Sequence, residues 1–311
     1  MVGNNQNQQG ITKFNLANLE KNLYVTIQMK VVVLGSGSRG NAAVIEEGDT
    51  RILVDAGLSA RQLTERLSGV GVDPGSLDGI LLTHEHRDHT GGLKVFLRSR
   101  SIPVYASALT RETLEDRLSS GVEWRIFQQG HAFAVGEITV DAFALPHDAV
   151  DPVGFVCRGV DASIGIATDF GFVTNVVRDR LQGVDGLLVE SNYDEKMLDQ
   201  DTKRPWSIKQ RIASRHGHLS NVQTAELVEE LLSHGLKTVV LGHLSSDCNC
   251  PELAFSVVQE VGSGRGLGVH VASQDTPTSW VDICGKQLDE ASSSIVMRQM
   301  DLAIGTNLQG I

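Results

Sequence analysis

Apolar positions recur with two different periods along this chain. Short runs rich in Val, Ile, Leu and Ala, bounded by Gly or charged residues, predict buried strands at "KVVVLG" (30–35), "AAVIEEG" (42–48) and "TRILVDAG" (50–57). "SARQLTERLSGVG" then places apolar residues at helical spacing, with Ser59 positioned as its cap. "GILLTH" is another apolar strand, and "IPVYAS", "ITVDAFALPH", "VGFVCRG", "ASIGIATD" and "GLLVES" read as more. "NVQTAELVEELLSHG" is a capped amphipathic helix closing near Gly235 and feeding the strand "KTVVLGH". Two strand meanders, each followed by helices, predict an α/β protein with two packed sheets and helices on both outer faces, a four-layer αββα sandwich.

Residues 1–28 are Asn/Gln-rich and weakly patterned, so an N-terminal extension is expected there, with Met29 a plausible alternative start. Residues 29–282 carry the pattern of one folded domain, and 283–311 read as a C-terminal tail. No apolar run approaches the roughly 18 residues a membrane helix needs, and "MVGNNQNQQG" has neither the basic nor the apolar part of a secretory signal. Four cysteines, Cys157, Cys248, Cys250 and Cys284, do not form a disulfide framework and fit a reducing cytoplasm. The formal net charge of −11 shows no broad phosphate-binding footprint, although it leaves room for a local basic groove. The oligomeric state is not readable.

"GSGSRG" matches the dinucleotide fingerprint by letter, but a strand pair follows it rather than a helix. It reads instead as a glycine-permitted turn between strands. "LLTHEHRDHTGG" (81–92) is different. His84 and His86 alternate by two at a strand end and would point the same way, and Asp88 and His89 follow where the chain turns toward a helix. Imidazole and carboxylate in H-x-H-x-D-H suit zinc, manganese or iron(II). Four ligands from six residues crowd one ion, so a split between two ions is the natural reading, with a solvated polar loop as the competing one. The missing ligands should stand at strand ends, where His147, Asp169 and His243 do. His131, His234 and His270 lack that placement and read as structural.

At this point the chain resembles the metallo-β-lactamase-fold hydrolase superfamily, and more closely its YycJ (WalJ) branch of DNA-processing hydrolases. The blocks that carry the resemblance are "VLGSGSRGN", "ILVDAG", "LLTHEHRDHTGGL", "PHDAVDPVGF", "VESNYDEKML", "RIASRHGHLSN" and "LGHLSSDCNCPELA", spanning nearly all of 29–260. The resemblance implies two divalent ions. His84, His86 and His147 would hold the first, Asp88, His89 and His243 the second, and Asp169 would bridge them. It implies that Asp55 orients a ligand from behind. His218 matches a histidine that related phosphodiesterases such as tRNase Z use as proton donor, with Glu190 as its orienting partner. The chain departs from the branch at Asp247-Cys248-Asn249-Cys250, where thiols packed under a loop are the favoured reading over ligands, and at His216, which is expected to be exposed.

The implied activity is a dinuclear metal-dependent hydrolase, a phosphodiesterase acting on DNA as a 5′–3′ exonuclease through a hydroxide shared by the two ions. The stretch "DTKRPWSIKQRIASRHGH" sets Lys203, Arg204, Lys209, Arg211 and Arg215 around Trp206, a combination able to hold phosphate and stack a base; a solvated helix face is the alternative. No long insertion separates the metal blocks, so extended RNA clamping is not expected. A small-molecule hydrolase opening a lactam or lactone is the second reading, and a non-catalytic metal-binding protein the third.

Overall fold

Strand β1 (Met29–Gly35) sends alternate side chains into two different cores: Val31 and Val33 face one, Val32 and Leu34 the other. A strand buried on both faces is why its sequence is a continuous apolar run rather than an alternating one. In this computed structural model residues 28–118 and 121–285 are described. The expected N-terminal extension and most of the expected C-terminal tail lie outside the described residues.

Strands β2 (Ala42–Glu47), β3 (Thr50–Val54), β4 (Gly79–Leu81), β5 (Val104–Ala106) and β6 (Trp124–Ile126) follow in the first half of the chain. β7 (Phe133–Val135), β8 (Ile138–Ala144), β9 (Val153–Arg158), β10 (Ser163–Ala167), β11 (Gly186–Glu190), β12 (Thr238–Gly242), β13 (Gly268–Val271) and β14 (Val281–Ile283) complete the set. One seven-stranded sheet has the order β14-β1-β2-β3-β4-β5-β6 and the other β13-β12-β11-β10-β9-β8-β7. Each is antiparallel at one side and parallel at the other: β1, β2 and β3 form a meander before the parallel β3, β4 and β5, as β8, β9 and β10 do before β10, β11 and β12. β14 ends beside the expected domain boundary at 282 and closes the first sheet by pairing with β1.

The two sheets face each other across a core that includes Val31, Ile45 and Ile52 from one and Val140, Phe155 and Ile166 from the other. On the outer face of the first sheet pack α1 (Ala60–Gly69), α3 (Leu93–Phe96) and α4 (Ala108–Glu115), through Leu63, Leu67, Phe96 and Leu114, with the short α2 (Arg87–Thr90) preceding α3 in the chain. On the outer face of the second lie α5 (Asn175–Leu181), α8 (Asn221–Leu232) and α9 (Pro251–Gly262), through Leu181, Val228, Leu231 and Val258. Burying each of these large apolar side chains contributes about 1.5–3 kcal/mol. The result is the four-layer αββα arrangement. Ser59 caps α1 and Ser220 caps α8, each in a reciprocal capping box with Gln62 and Gln223. α6 (Glu195–Gln200) and α7 (Trp206–Ile212) stand between β11 and α8 in the chain. No helix among the described residues is long and apolar enough to cross a membrane.

The glycine-rich turn links two antiparallel strands, with Gly37 and Gly40 at φ 143° and 142°. It leads into no helix that could receive a pyrophosphate.

Candidate metal centre

The non-glycine residues with positive φ among those described are Asp55 (59°), Asp169 (62°) and His243 (53°). Each comes just after a strand, β3, β10 and β12 respectively, where a left-handed residue turns the chain sharply while its side chain stays at the strand end. Strain of this kind, costing about 1–3 kcal/mol per residue, concentrates at functional sites.

The 81–92 segment reaches the same end of the sandwich. β4 ends at Leu81, short of the extended strand end expected for His84 and His86: the chain bends at Thr83 and Glu85 before an extended His86 (φ −62°, ψ 151°), after which α2 begins and brings round Asp88 and His89. This segment lies directly on the loop after β3: a Cβ on Gly57 would sit 1.6 Å from the Asp88 carbonyl oxygen. One on Gly92 would sit 1.9 Å from that of Leu58. Glycine is required at both positions because two backbones touch there.

His147, after β8, joins His84 and His86 in one metal-competent group, Asp88, His89, Asp169 and His243 make a second, and Glu190, His218 and His243 make a third. Within each group the potential ligand atoms lie within 4.8 Å of one another. The groups adjoin, with the His84 and His89 ring centroids 4.1 Å apart. Buried His84 Nε2, His147 Nδ1 and His243 Nε2 have no hydrogen-bond partner. Leaving such atoms unpaired costs about 1–3 kcal/mol each, so the cluster fits a bound cation far better than an empty polar pocket. All donors are nitrogen or oxygen, which suits a divalent metal.

Supporting residues fix the ring orientations. Asp55 Oδ2 lies 2.7 Å from His89 Nδ1 and also accepts a bond from the Thr83 hydroxyl at 2.8 Å, while Oδ1 accepts from the Thr83 amide at 2.9 Å. This directs His89 Nε2 toward Asp169 Oδ2, 3.0 Å away. Asn192 donates to the His243 carbonyl at 2.6 Å, and the His243 amide donates to the Ser36 hydroxyl at 2.7 Å. Asn41 Nδ2 lies 3.1 Å from His89 Nε2.

The electrostatics split the histidines. Burial pushes the His84 ring well below the ordinary histidine value, helped by neighbouring His89. Burial opposes charge on His89 and His243 too, but carboxylates win: Asp55 and Asp169 carry His89 well above its usual value, and Asp169, Asp88 and Glu190 raise His243 to about 10. Asp169 is correspondingly held well below the usual carboxylate range, against burial, by His243 and His89. The carboxylates thus favour positive charge at His89 and His243, the charge that a bound cation would bring.

His218 stands at the mouth of the cleft with its Nδ1 3.0 Å from Glu190 Oε2. Glu190 is fully buried and also accepts a bond from the Phe170 amide. Burial alone would raise its carboxyl, yet His218 and His243 hold it below its ordinary value. His86, Asp88, His147, Asp169 and His243 line the same cleft.

A model of the β-lactamase superfamily domain matches residues 50–244. Exodeoxyribonuclease WalJ of Streptococcus pneumoniae is 35% identical over 267 residues, covering 83% of this chain and 99% of that protein. Exodeoxyribonuclease YycJ of Bacillus anthracis is 34% identical over 239 residues, covering 76% of this chain and 90% of that protein. The chain belongs to the metallo-β-lactamase superfamily, in its WalJ/YycJ branch. The crystal structure of the metallo-β-lactamase fold protein YhfI from Bacillus subtilis superposes with a TM-score of 0.63 over 81% of this chain and 99% of that one. At 20% identity that likeness shows the shared fold.

In this metallo-β-lactamase-fold chain the basic stretch near residue 206 does not form one surface. Arg211 lines the cleft, where its Nε donates to Asp148 Oδ2 at 2.7 Å. Lys203 and Arg204 are instead tied to Asp247, and Arg204 also to Asp201. Trp206, 65% exposed, and Lys209 line a separate groove on the other side of α7. Arg215 stacks on Phe172, its guanidinium carbon 4.1 Å from the ring centroid. Cys248 is buried beside Tyr193 and Leu198, Cys250 caps α9, and neither joins a metal-competent group among the described residues. His131, His216, His234 and His270 are exposed and outside those groups.

Sequence reasoning does not single out Asn41, Thr83, Asp148 or Asn192. Asn41 and Asn192 sit within the "GSGSRGN" and "VESN" blocks, and an amide closing such a block beside a strand end is the signal that points to them.

Proposed function

We propose that this protein is a divalent-metal-dependent exodeoxyribonuclease. The observation that carries the chemistry is the Glu190–His218 pair beside the first two metal-competent groups, since a positioned histidine serves a phosphodiester's departing oxygen. Two relatives matched over 90% or more of their own length, both exodeoxyribonucleases, support DNA as the polymer.

In this reading His84, His86 and His147 hold one ion, Asp88, His89 and His243 hold a second, and Asp169 lies between them. Zinc or manganese suits this donor set. When bound, such ions supply Lewis acidity toward a phosphoryl oxygen and an activated water nucleophile. The chain's own groups do the rest. His218, its Nδ1 engaged by Glu190, presents Nε2 for protonating the leaving 3′- or 5′-oxygen. Arg211, held by Asp148, sits where it can neutralise a substrate phosphate. Asp55 and Thr83 hold His89 in a single ring orientation.

A substrate panel tests the assignment. End-labelled DNA, nitrocefin and a simple lactone are each incubated with the protein loaded with Mn²⁺ or Zn²⁺. Nucleotide release from DNA alone, lost in His86→Ala, is the expected result. Turnover of the lactam or lactone with DNA untouched would replace the reading with a small-molecule hydrolase.

A further inference from the structure

The metal motif opens into a helical segment whose outer face is cationic. From Arg87 onward the backbone stays helical through Gly91 (φ −60°, ψ −30°) and Gly92 (φ −87°, ψ −20°), so α2 and α3 run on as nearly one helix. Arg87, Lys94 and Arg98 are separated by seven and four positions. At 100° per residue Arg87 and Lys94 point within about 20° of one direction, and Arg98, in the 3-10 turn Leu97–Ser99 that follows, lines the same depression as Lys94. His89, Gly92, Leu93 and Phe96 take the opposite, buried side. Arg87, Lys94 and Arg98 are exposed, and among the described residues none of them makes a salt bridge or a side-chain hydrogen bond.

Three unpaired cations on one stripe stand out on a chain with a net charge of −11. Asp88 is the only acid between Arg87 and Ser101, and it belongs to the metal-competent cluster. The stripe also adjoins the site. A groove lined by Ser38, Arg39, Arg87 and Asp88 runs out of the cleft, and Ser38 and Asp88 line both. Lys94, Arg98 and Arg100 line a further depression along the same segment, which Glu123, engaged by Arg125, also lines. Arg39, on the groove's other wall, is engaged by Asp275 at 2.8 Å.

We infer that Arg87, Lys94 and Arg98 form a phosphate-binding track that carries the backbone of one DNA strand away from the metal cleft. This rests on the exodeoxyribonuclease reading and adds to it the route taken by the polymer. The eleven steps from Arg87 to Arg98 span roughly 16 Å at a helical rise, about the rise of five phosphates along one strand of a duplex. Flexible cations facing a regular row of phosphates contribute affinity without base preference. The track therefore predicts sequence-independent, salt-sensitive binding.

The test measures binding of a fluorescein-labelled, cleavage-resistant phosphorothioate duplex to full-length protein by anisotropy, from 0.05 to 1 M salt. Lys94→Ala/Arg98→Ala should lower the steepness of log K against log salt by about 1.8. It should bind about 30-fold more weakly at 0.15 M, with the curves converging near 1 M. Lys94→Arg/Arg98→Lys should bind as the parent does, because charge rather than shape is recognised. Arg265→Ala, a cation elsewhere on the surface, should leave the slope unchanged. Superimposable curves for the parent and Lys94→Ala/Arg98→Ala, with the parent still binding and cutting DNA, overturn the track alone. A parent protein that neither binds nor cuts DNA overturns the track together with the exodeoxyribonuclease reading.

Discussion

Asp55 Oδ2 lies 2.7 Å from Nδ1 of His89, two buried groups brought together from positions 34 residues apart. The carboxylate is aimed by a left-handed backbone at φ 59° and braced by two bonds from Thr83. It settles which ring nitrogen of His89 faces the cluster. Partners of this kind contribute about 10–100-fold to metal affinity. Asp55→Asn should therefore weaken divalent-metal binding by about that factor, read by competition with a chelator of known affinity. Unchanged affinity would mean that Asp55 does not position His89.

Chelated protein should be most stable near pH 6.5. His89 and His243 have raised values in the folded state, His243 to about 10, so their contribution is full below the unfolded histidine value of about 6.5 and is lost as pH rises toward 10. His84 and His147 are lowered, so stability also falls below about 6.5, where only the unfolded chain takes up their protons. Bound metal excludes those protons, so the gain in Tm on adding metal should grow from pH 6.5 to 8.5. A gain that shrinks over that range would contradict this assignment of charge.

Gly57→Ala should be among the most disruptive small substitutions in the chain. Its Cβ would fall 1.6 Å from the Asp88 carbonyl oxygen of the 81–92 segment, where no flexible side chain can yield. A loss of about 3 kcal/mol or more, or loss of metal binding in folded protein, is expected by denaturant titration and metal analysis. Near-parental stability with metal retained would show that these loops are not packed as described.

His218→Ala should lower kcat on DNA by about 10²–10⁴-fold, the range for a positioned proton donor. Metal content should be unchanged, because the two ion-binding groups assigned above do not include His218. Full activity in this variant would remove His218 from the chemistry.

Much of the fold was legible because β1, β3, β11 and β12 are buried on both faces, and so appear as unbroken apolar runs. β6 and β7 were not, being three residues long with exposed positions such as Arg125 and Ala134. β14 is equally short and pairs with a strand some 250 positions away, which no local pattern reveals. The histidines and acids that the fold gathers into the metal-competent groups stood out because they follow apolar strand runs. Thr83, Asn41 and Asn192 were not, because uncharged polar residues act there only through neighbours that the fold supplies. Lys203 to Arg215 reads as one basic surface in the sequence, whereas α7 divides it and Asp201, Asp247 and Asp148 engage three of its cations.

The central claim, that the His/Asp cluster holds two ions and drives phosphodiester cleavage, is tested most directly by one titration. Metal-free protein is reconstituted stepwise with Mn²⁺, and nucleotide release from end-labelled DNA is followed against ions bound per chain. The account predicts no release without metal, a rise that is complete at two ions, and no release at any loading for His86→Ala. Release that persists after chelation, or protein that carries two ions and leaves DNA intact, would contradict it.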